Sequence, residues 1–172
     1  NAWTEDVWGW ARRYPSSKVI MVRGVGHETA PRLMRVKKER NRNGDLLKYA
    51  SRFFNMGTSP MKMALYRNLT KSDPLAYGYV GLPRGLDDEY FRQLTAESRK
   101  AVKRRDGFTV WQWVKDPNQR NEMLDTMVQA EAAAEHLGVF VMGDKHWMTA
   151  EAERASPVTD AQMDIEDLMK VA

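Results

Sequence analysis

An α/β layer fold is the class this sequence predicts, and two observations predict it. A capped helical opening is followed at once by a short, largely apolar run that reads as a buried strand. The 172 residues, 42% of them hydrophobic, are enough for one ordinary core.

Taken in order, Thr4, Glu5 and Asp6 precede Val7, Trp8, Trp10 and Ala11, the pattern of a capped helix stopping before Pro15. Lys18 to Arg23, ending at Gly24, predicts the buried strand. Arg32 to Arg40 and Asp45 to Phe54 flank Asn41-Arg42-Asn43-Gly44, whose Asn-Gly tip predicts a solvent-exposed β-ribbon. Ser59 as cap and Pro60 at the first helical position open a helix with Met61, Leu65 and Leu69 on one face, ending near Thr70. Tyr77 to Leu82 reads as a further strand. Asp87 opens a helix carrying Tyr90, Phe91 and Leu94 to about Arg99, and Phe108 to Val114 alternates as a strand. Asp116 and Pro117 begin the last clear helix, with the stripe Met123, Met127, Ala130, Ala134 and Leu137, closed by Gly138.

Charge is unevenly placed. Residues 1–143 carry 24 Lys+Arg against 16 Asp+Glu (net +8), and residues 144–172 carry 3 against 7 (net −4). This predicts a basic body, residues 3–143, and an acidic tail, 144–172, where residues 156–171 offer a turn or two of helix or disorder. The absence of cysteine excludes disulfides, thiolate zinc sites and Cys nucleophiles. His27, His136 and His146 are too scattered for a spacing-based metal motif. No apolar run nears the ~18 residues of a membrane span and no signal peptide opens the chain, so a soluble protein inside a cell is expected. Asn1-Ala2 resembles the scar of a cleaved tag, which predicts an excised piece of a longer protein.

Several features could carry chemistry. Arg32, Arg35, Lys37, Lys38, Arg40, Arg42, Lys48 and Arg52 would form a phosphate-binding arm if the ribbon projects. The same charges would equally serve to keep exposed strands from pairing edge to edge. Arg99, Lys100, Lys103, Arg104 and Arg105 form a second run, which on a helix end would be favoured by the macrodipole. Together the two clusters point towards nucleic acid. Asp125 sits at the edge of the last helix's apolar stripe, where a carboxylate is a candidate Mg²⁺ ligand or simply a surface ion-pair partner. Gly24-Val25-Gly26 lacks the third glycine of a dinucleotide loop, and no P-loop is present.

Several segments, in this order, resemble the nuclease domain of the large terminase subunits of lambda-type tailed phages. These are Gly57-Thr58-Ser59-Pro60-Met61-Lys62, Glu89 to Glu97, Trp113-Val114-Lys115, and Asn121-Glu122-Met123-Leu124-Asp125 followed by the small-residue helix Ala130 to Leu137. The similarity covers about residues 3–139. It implies a ribonuclease H-like nuclease fold, with its N-terminal strands missing here and a β-ribbon excursion. It also implies a metal-dependent endonuclease, using Mg²⁺ or Mn²⁺, that cuts concatemeric double-stranded DNA in a host bacterial cell. Asp125 would be the last catalytic acid and a metal ligand; Lys62, Glu97, Asn121 and Glu122 match family motifs without an assigned role. The implied partners are DNA, a small terminase subunit and a portal or procapsid, with the acidic tail offered to the portal; no membrane is implied. The two earlier family acids lie ahead of the first helix, so this piece alone is expected to cut little or not at all, and its open sheet edge to favour self-association. The alternative is a non-catalytic nucleic-acid-binding module in which Asp125 is structural, and a third reading is an interaction adaptor using the tail.

Overall fold

A computed structural model describes residues 4–36, 40, 43–45 and 52–155. The chain divides into two compact units, residues 1–137 and 138–172. The first holds α1 (Thr4–Ala11), β1 (Met21–Val25), β2 (Leu33–Arg35), β3 (Phe53–Gly57), α2 (Thr58–Leu69), α3 (Asp88–Leu94), β4 (Glu97–Lys103), β5 (Thr109–Lys115) and α4 (Glu122–His136). In the second, a 3-10 turn at Val139–Val141 precedes α5 (Asp144–Ala155), a helix that buries no side chain. The reading of residues 156–171 lies outside the described residues.

β3 organises the first unit. It pairs parallel with β1, from Met21 opposite Phe53 to Val25 opposite Gly57, and antiparallel with β2, from Leu33 opposite Met56 to Arg35 opposite Phe54. Strand side chains alternate, so β3 serves two layers. Phe53 stacks on Trp8 of α1, with ring centroids 5.6 Å apart, in a small core with Ala11, Met21 and Val36. On the other face Met56 joins Met61 and Leu65 of α2, Leu94 of α3, and Leu124, Val128 and Ala132 of α4. Helices on both faces of a sheet make the mixed α/β architecture that the opening segments predict. Each fully buried Leu or Met contributes about 1.5–3 kcal/mol over its exposed state. β4 and β5 form a separate two-stranded antiparallel ribbon. Among the described residues no helix is long and apolar enough to cross a membrane.

Several elements differ from expectation. The strand expected from Lys18 starts at Met21, because the Lys18 and Val19 amides close a turn onto the Pro15 carbonyl. Of β1 only Met21 is fully buried, as befits a strand with a described neighbour on one side only. The ribbon's root is present as β2 and β3, while Asn41 and Arg42 of its tip lie outside the described residues. Residues 77–82 form no strand: Gly78 takes a left-handed φ of 78°, and the preceding chain turns from Asp73 to Ala76.

The helix opened by Asp87, whose carboxylate accepts the Tyr90 amide at 2.8 Å, ends at Leu94 rather than Arg99. Glu97–Lys103 instead pairs along its whole length with β5. β5 is rich in β-branched and aromatic residues and requires a partner, and that pairing overrides the weak helical preference of the Lys/Arg/Ala run. α2 starts two residues early, at Thr58 rather than Pro60, with Gly57 rather than Ser59 as cap. A Cβ on Gly57 would stand 2.5 Å from the Pro31 carbonyl oxygen, so only glycine fits this sharp strand-to-helix turn. α4 starts at Glu122, because Asp116 caps a tight turn by accepting the Asn118 amide. Its buried stripe is Leu124, Val128 and Ala132, rotated from the expected one: Met123 and Met127 flank it half-buried, and Ala130 and Leu137 are exposed. Gly138, at φ 73°, terminates it as expected.

Candidate functional site

Three elements deliver four polar side chains to one point. The turn at Gly57 launches α2 so that Lys62 lies one turn in, on the same side as buried Met61 and Leu65. Lys62 is itself buried, and its Nζ lies 2.7 Å from Oε1 of Glu97, the first residue of β4. Asn121 caps α4 from its backbone only. Its side-chain amide donates instead to Glu97 Oε1 at 2.9 Å and to Asp125 Oδ2 at 3.1 Å. Asp125, one helical turn on, places Oδ1 3.7 Å from Lys62 Nζ. Its carboxylate also sits in the first turn of α4, where the helix dipole favours negative charge.

The two carboxylates differ in setting. Glu97 is buried, whereas the Asp125 side chain is 47% exposed. Lys62 and Asn121 bridge them, so two anions approach one another without unscreened repulsion. With one lysine against two carboxylates, the cluster keeps a net negative charge facing solvent at Asp125. Tyr66, four residues after Lys62, donates its hydroxyl to the Glu97 carbonyl at 2.8 Å, fixing the backbone of the residue whose side chain Lys62 holds. Burial pushes the Tyr66 hydroxyl pKa up, against the lowering effect of that hydrogen bond, and keeps it a donor. Buried Ser59 accepts the Trp113 indole N–H at 3.0 Å, tying β5 to the start of α2. Lys115, two residues on at the end of β5, reaches the Gln119 carbonyl at 2.6 Å, tying the same end of the strand to the approach to α4.

The structure therefore gathers Lys62, Glu97, Asn121 and Asp125 from three motifs, the outermost two of these residues 63 positions apart in sequence and none related by local spacing except Asn121 and Asp125. Glu122 is exposed and makes none of these contacts. Tyr66 was not singled out from sequence, although its position four residues after Lys62 places it on the same helix face. Oxygen donors of this kind suit Mg²⁺ or Mn²⁺, which are usually held by one or two carboxylates plus a substrate phosphate. Glu97 and Asp125 fit that donor set. Among the described residues no group of three or more His, Asp or Glu gathers that could hold a metal ion unaided.

The expected basic arm is distributed differently. Arg32 is half-buried and pairs with Glu131 and Glu135 of α4, each at 3.0 Å. Arg52 donates to the carbonyls of Tyr14 at 2.6 Å and Val19 at 3.4 Å. Arg35 is exposed, with its guanidinium 5.4 Å from the centre of the Phe54 ring. Arg40 is exposed and donates to the Gly44 carbonyl. Lys37, Lys38, Arg42 and Lys48 lie outside the described residues. An open pocket of about 460 Å³ lined by Tyr14, Arg35, Arg52, Phe54 and His136 shares no residue with the Lys62 cluster.

Comparison with known proteins bears on these residues. A family model described as the terminase large subunit gpA, endonuclease domain, matches residues 1–147. No curated protein and no solved structure matches the chain.

Proposed function

This chain belongs to the endonuclease-domain family of terminase large subunit gpA, and we propose that the Lys62–Glu97–Asn121–Asp125 cluster is part of a metal-dependent nuclease centre cutting double-stranded DNA during genome packaging. The observation that carries this reading is the convergence of two carboxylates on one lysine and one amide, from residues in three family-like motifs, at a partly open site. The sheet with helices on both faces supports, as part of the same reading, a ribonuclease H-like arrangement. A small terminase subunit and a portal belong to the reading as partners, and the host cytoplasm as its place.

Glu97 and Asp125 would hold Mg²⁺ or Mn²⁺, which when bound supplies charge to activate water and to steady the leaving oxygen of a phosphodiester. The rest is done by the chain. Lys62 sets a positive charge against both carboxylates, 2.7 Å from Glu97 and 3.7 Å from Asp125. It would also lie within reach of a substrate phosphate drawn to the site. Asn121 orients both carboxylates through one amide, and Tyr66 holds the Glu97 backbone. Asp125, the more exposed acid, faces the side from which DNA arrives. Exposed Arg35 and Arg40 of the β2–β3 ribbon are proposed to meet duplex phosphates.

The test is plasmid cleavage with added Mg²⁺ or Mn²⁺ by the large subunit that carries this domain, beside its Asp125→Asn and Glu97→Gln variants. At least a hundredfold loss is expected in both, on the order of what removing a group that stabilises transition-state charge costs. Full activity in folded Asp125→Asn would sink the assignment. Salt-sensitive DNA binding without cleavage by any form would support the non-catalytic binding module instead.

A further inference from the structure

The second basic run, Arg99 to Arg105, lies on the β4–β5 ribbon rather than on a helix end. The register is unbroken, from Glu97 opposite Lys115 to Lys103 opposite Thr109. At ~3.3 Å per residue the ribbon's turn therefore stands about 20 Å along the strand from Glu97. That is about six base-pair steps of duplex DNA at ~3.4 Å each. A tight turn closes the tip: the Arg104 amide donates to the Phe108 carbonyl at 2.7 Å, and Gly107 takes a φ of 87°.

The ribbon's base is fastened, and its outer part is not. Glu97 is held by Lys62 and Asn121, Trp113 by Ser59, and Arg99 by Glu28 while lying 4.6 Å from the centre of the Trp111 ring. Beyond these, Lys100, Lys103, Arg104 and Arg105 are all exposed. Among the described residues only Arg104 of the four has a carboxylate partner, Asp106 at 3.3 Å, an exposed pair of little energetic weight. Apolar surface is interleaved with the charge: Phe108 at the turn is 71% exposed and Trp111 is 49% exposed. Exposed aromatic rings interleaved with cations are the side-chain set that nucleic-acid-binding surfaces use, rings for bases and sugars and cations for phosphates.

We propose that the β4–β5 ribbon is a DNA-holding arm that lies along the duplex flanking the cut. Lys100, Lys103, Arg104 and Arg105 would meet phosphates, and Phe108 and Trp111 would contact sugar and base edges in a groove. A two-stranded ribbon is narrow enough for the ~12 Å major groove. The occupant follows from charge complementarity: four exposed cations, with Lys100 and Lys103 on opposite faces of the ribbon so that it can meet phosphates on both sides of a groove, have one weakly paired carboxylate beside them. Because Glu97 is both the base of the arm and part of the polar cluster, the arm would set the distance between phosphates it grips and the phosphate at the cluster. This inference rests on the nuclease reading for its purpose, though its binding test does not depend on cleavage.

The experiment is fluorescence-anisotropy titration of a labelled 30-base-pair duplex with the full chain across a salt series. It compares wild type, the quadruple variant Lys100→Gln, Lys103→Gln, Arg104→Gln and Arg105→Gln, and Phe108→Ala. Losing three or four phosphate contacts should make the slope of log K against log salt shallower by about 3, at ~0.9 per contact. Affinity should fall by at least about tenfold at ~0.1 M salt. Phe108→Ala should weaken binding several-fold with the slope unchanged. The substitutions are on the surface, so thermal midpoints should stay within about 2 °C of wild type. Wild-type affinity and slope in the quadruple variant would overturn the arm, as would a wild-type chain that binds no duplex at low salt. The two readings fail separately: plasmid cleavage by Asp125→Asn tests the cluster, whereas the salt slope of the quadruple variant, read without cleavage, tests the arm.

Discussion

The β2–β3 and β4–β5 ribbons are both basic, and they differ in how much of their described charge is tied down at the root: Arg35 and Arg40 of the first are exposed, but its Arg32 and Arg52 are not free. On the β2–β3 side, Arg32 is bound to Glu131 and Glu135 of α4, and Arg52 to the carbonyls that follow α1. These guanidiniums fasten a ribbon root to the helices that cover the sheet. On the β4–β5 side, Lys100, Lys103 and Arg105 are exposed and unpaired among the described residues, and only the ribbon's base is fixed. A count of arginines and lysines along the chain treats both runs alike. What separates them is whether a folded neighbour presents oxygen atoms at the right place.

The largest effect tests the anchoring of the free ribbon. Lys62→Met leaves Glu97 buried without its cation, and breaking a buried pair in this way typically costs ~3–5 kcal/mol. Asn121 still donates to Glu97, so the lower end, about 3 kcal/mol, is expected by urea denaturation. Adding Glu97→Gln to Lys62→Met should recover a substantial part, since the unpaired charge is then gone. A loss below about 1 kcal/mol would show that the ribbon's base does not depend on this pair.

Next comes the fastened ribbon. Arg32→Ala should cost about 1–2 kcal/mol, because two half-buried carboxylates lose a charge-assisted hydrogen bond each. Its pH dependence has a definite sign. Burial, the largest influence, raises the Glu131 pKa; Arg32 opposes it, and Glu135 adds to the rise. A group whose folded pKa is raised contributes stability that is fully present below the unfolded value, about 4.3 for glutamate, and lost as pH rises through the folded value. Removing Arg32 moves that folded value further up and widens the loss. The stability gap between wild type and Arg32→Ala should therefore be larger at pH 7 than at pH 5 in parallel urea titrations, and a gap that stays constant would count against the Glu131 assignment.

The smallest effect sharpens the contrast at one hydrogen bond. Trp113→Phe keeps the ring beside Tyr66 but removes the N–H that Ser59 accepts, at a cost of about 1 kcal/mol in thermal or urea unfolding. Its DNA salt slope should match wild type, since no cation is lost. A slope change here would mean that the base of the ribbon, and not only its outer cations, positions the arm.

Much of the fold was legible in order along the chain. The first helix, the strand after it, the ribbon root, α2 with its Met61 and Leu65 face, the Asp87 cap and the Gly138 stop all rest on local chemistry: caps, glycine at positive φ, and periodic apolar residues. The errors fall where a local signal had two uses. Asp116-Pro117 can open a helix or a turn, and here its carboxylate caps a turn. Residues 97–103 carry no strong preference and follow their cross-strand partner. The α4 stripe was displaced because methionines and alanines surround Leu124, Val128 and Ala132, and hydrophobicity alone does not say which of two adjacent faces meets α2 and α3.

By itself the sequence determined the layered α/β class, the motifs that place the chain among terminase nuclease domains, and the identity of Lys62, Glu97, Asn121 and Asp125 as motif residues. Only the tertiary structure decided that these four meet, with Lys62 and Asn121 each bridging the carboxylates of Glu97 and Asp125. The reason is physical. Caps, turns and periodicity act over a few residues, whereas an ion pair between a helix and a strand depends on how the core seats Met61, Leu65, Leu94 and Leu124 against one another. The same packing decides which arginines find carboxylates and which lysines are left facing water.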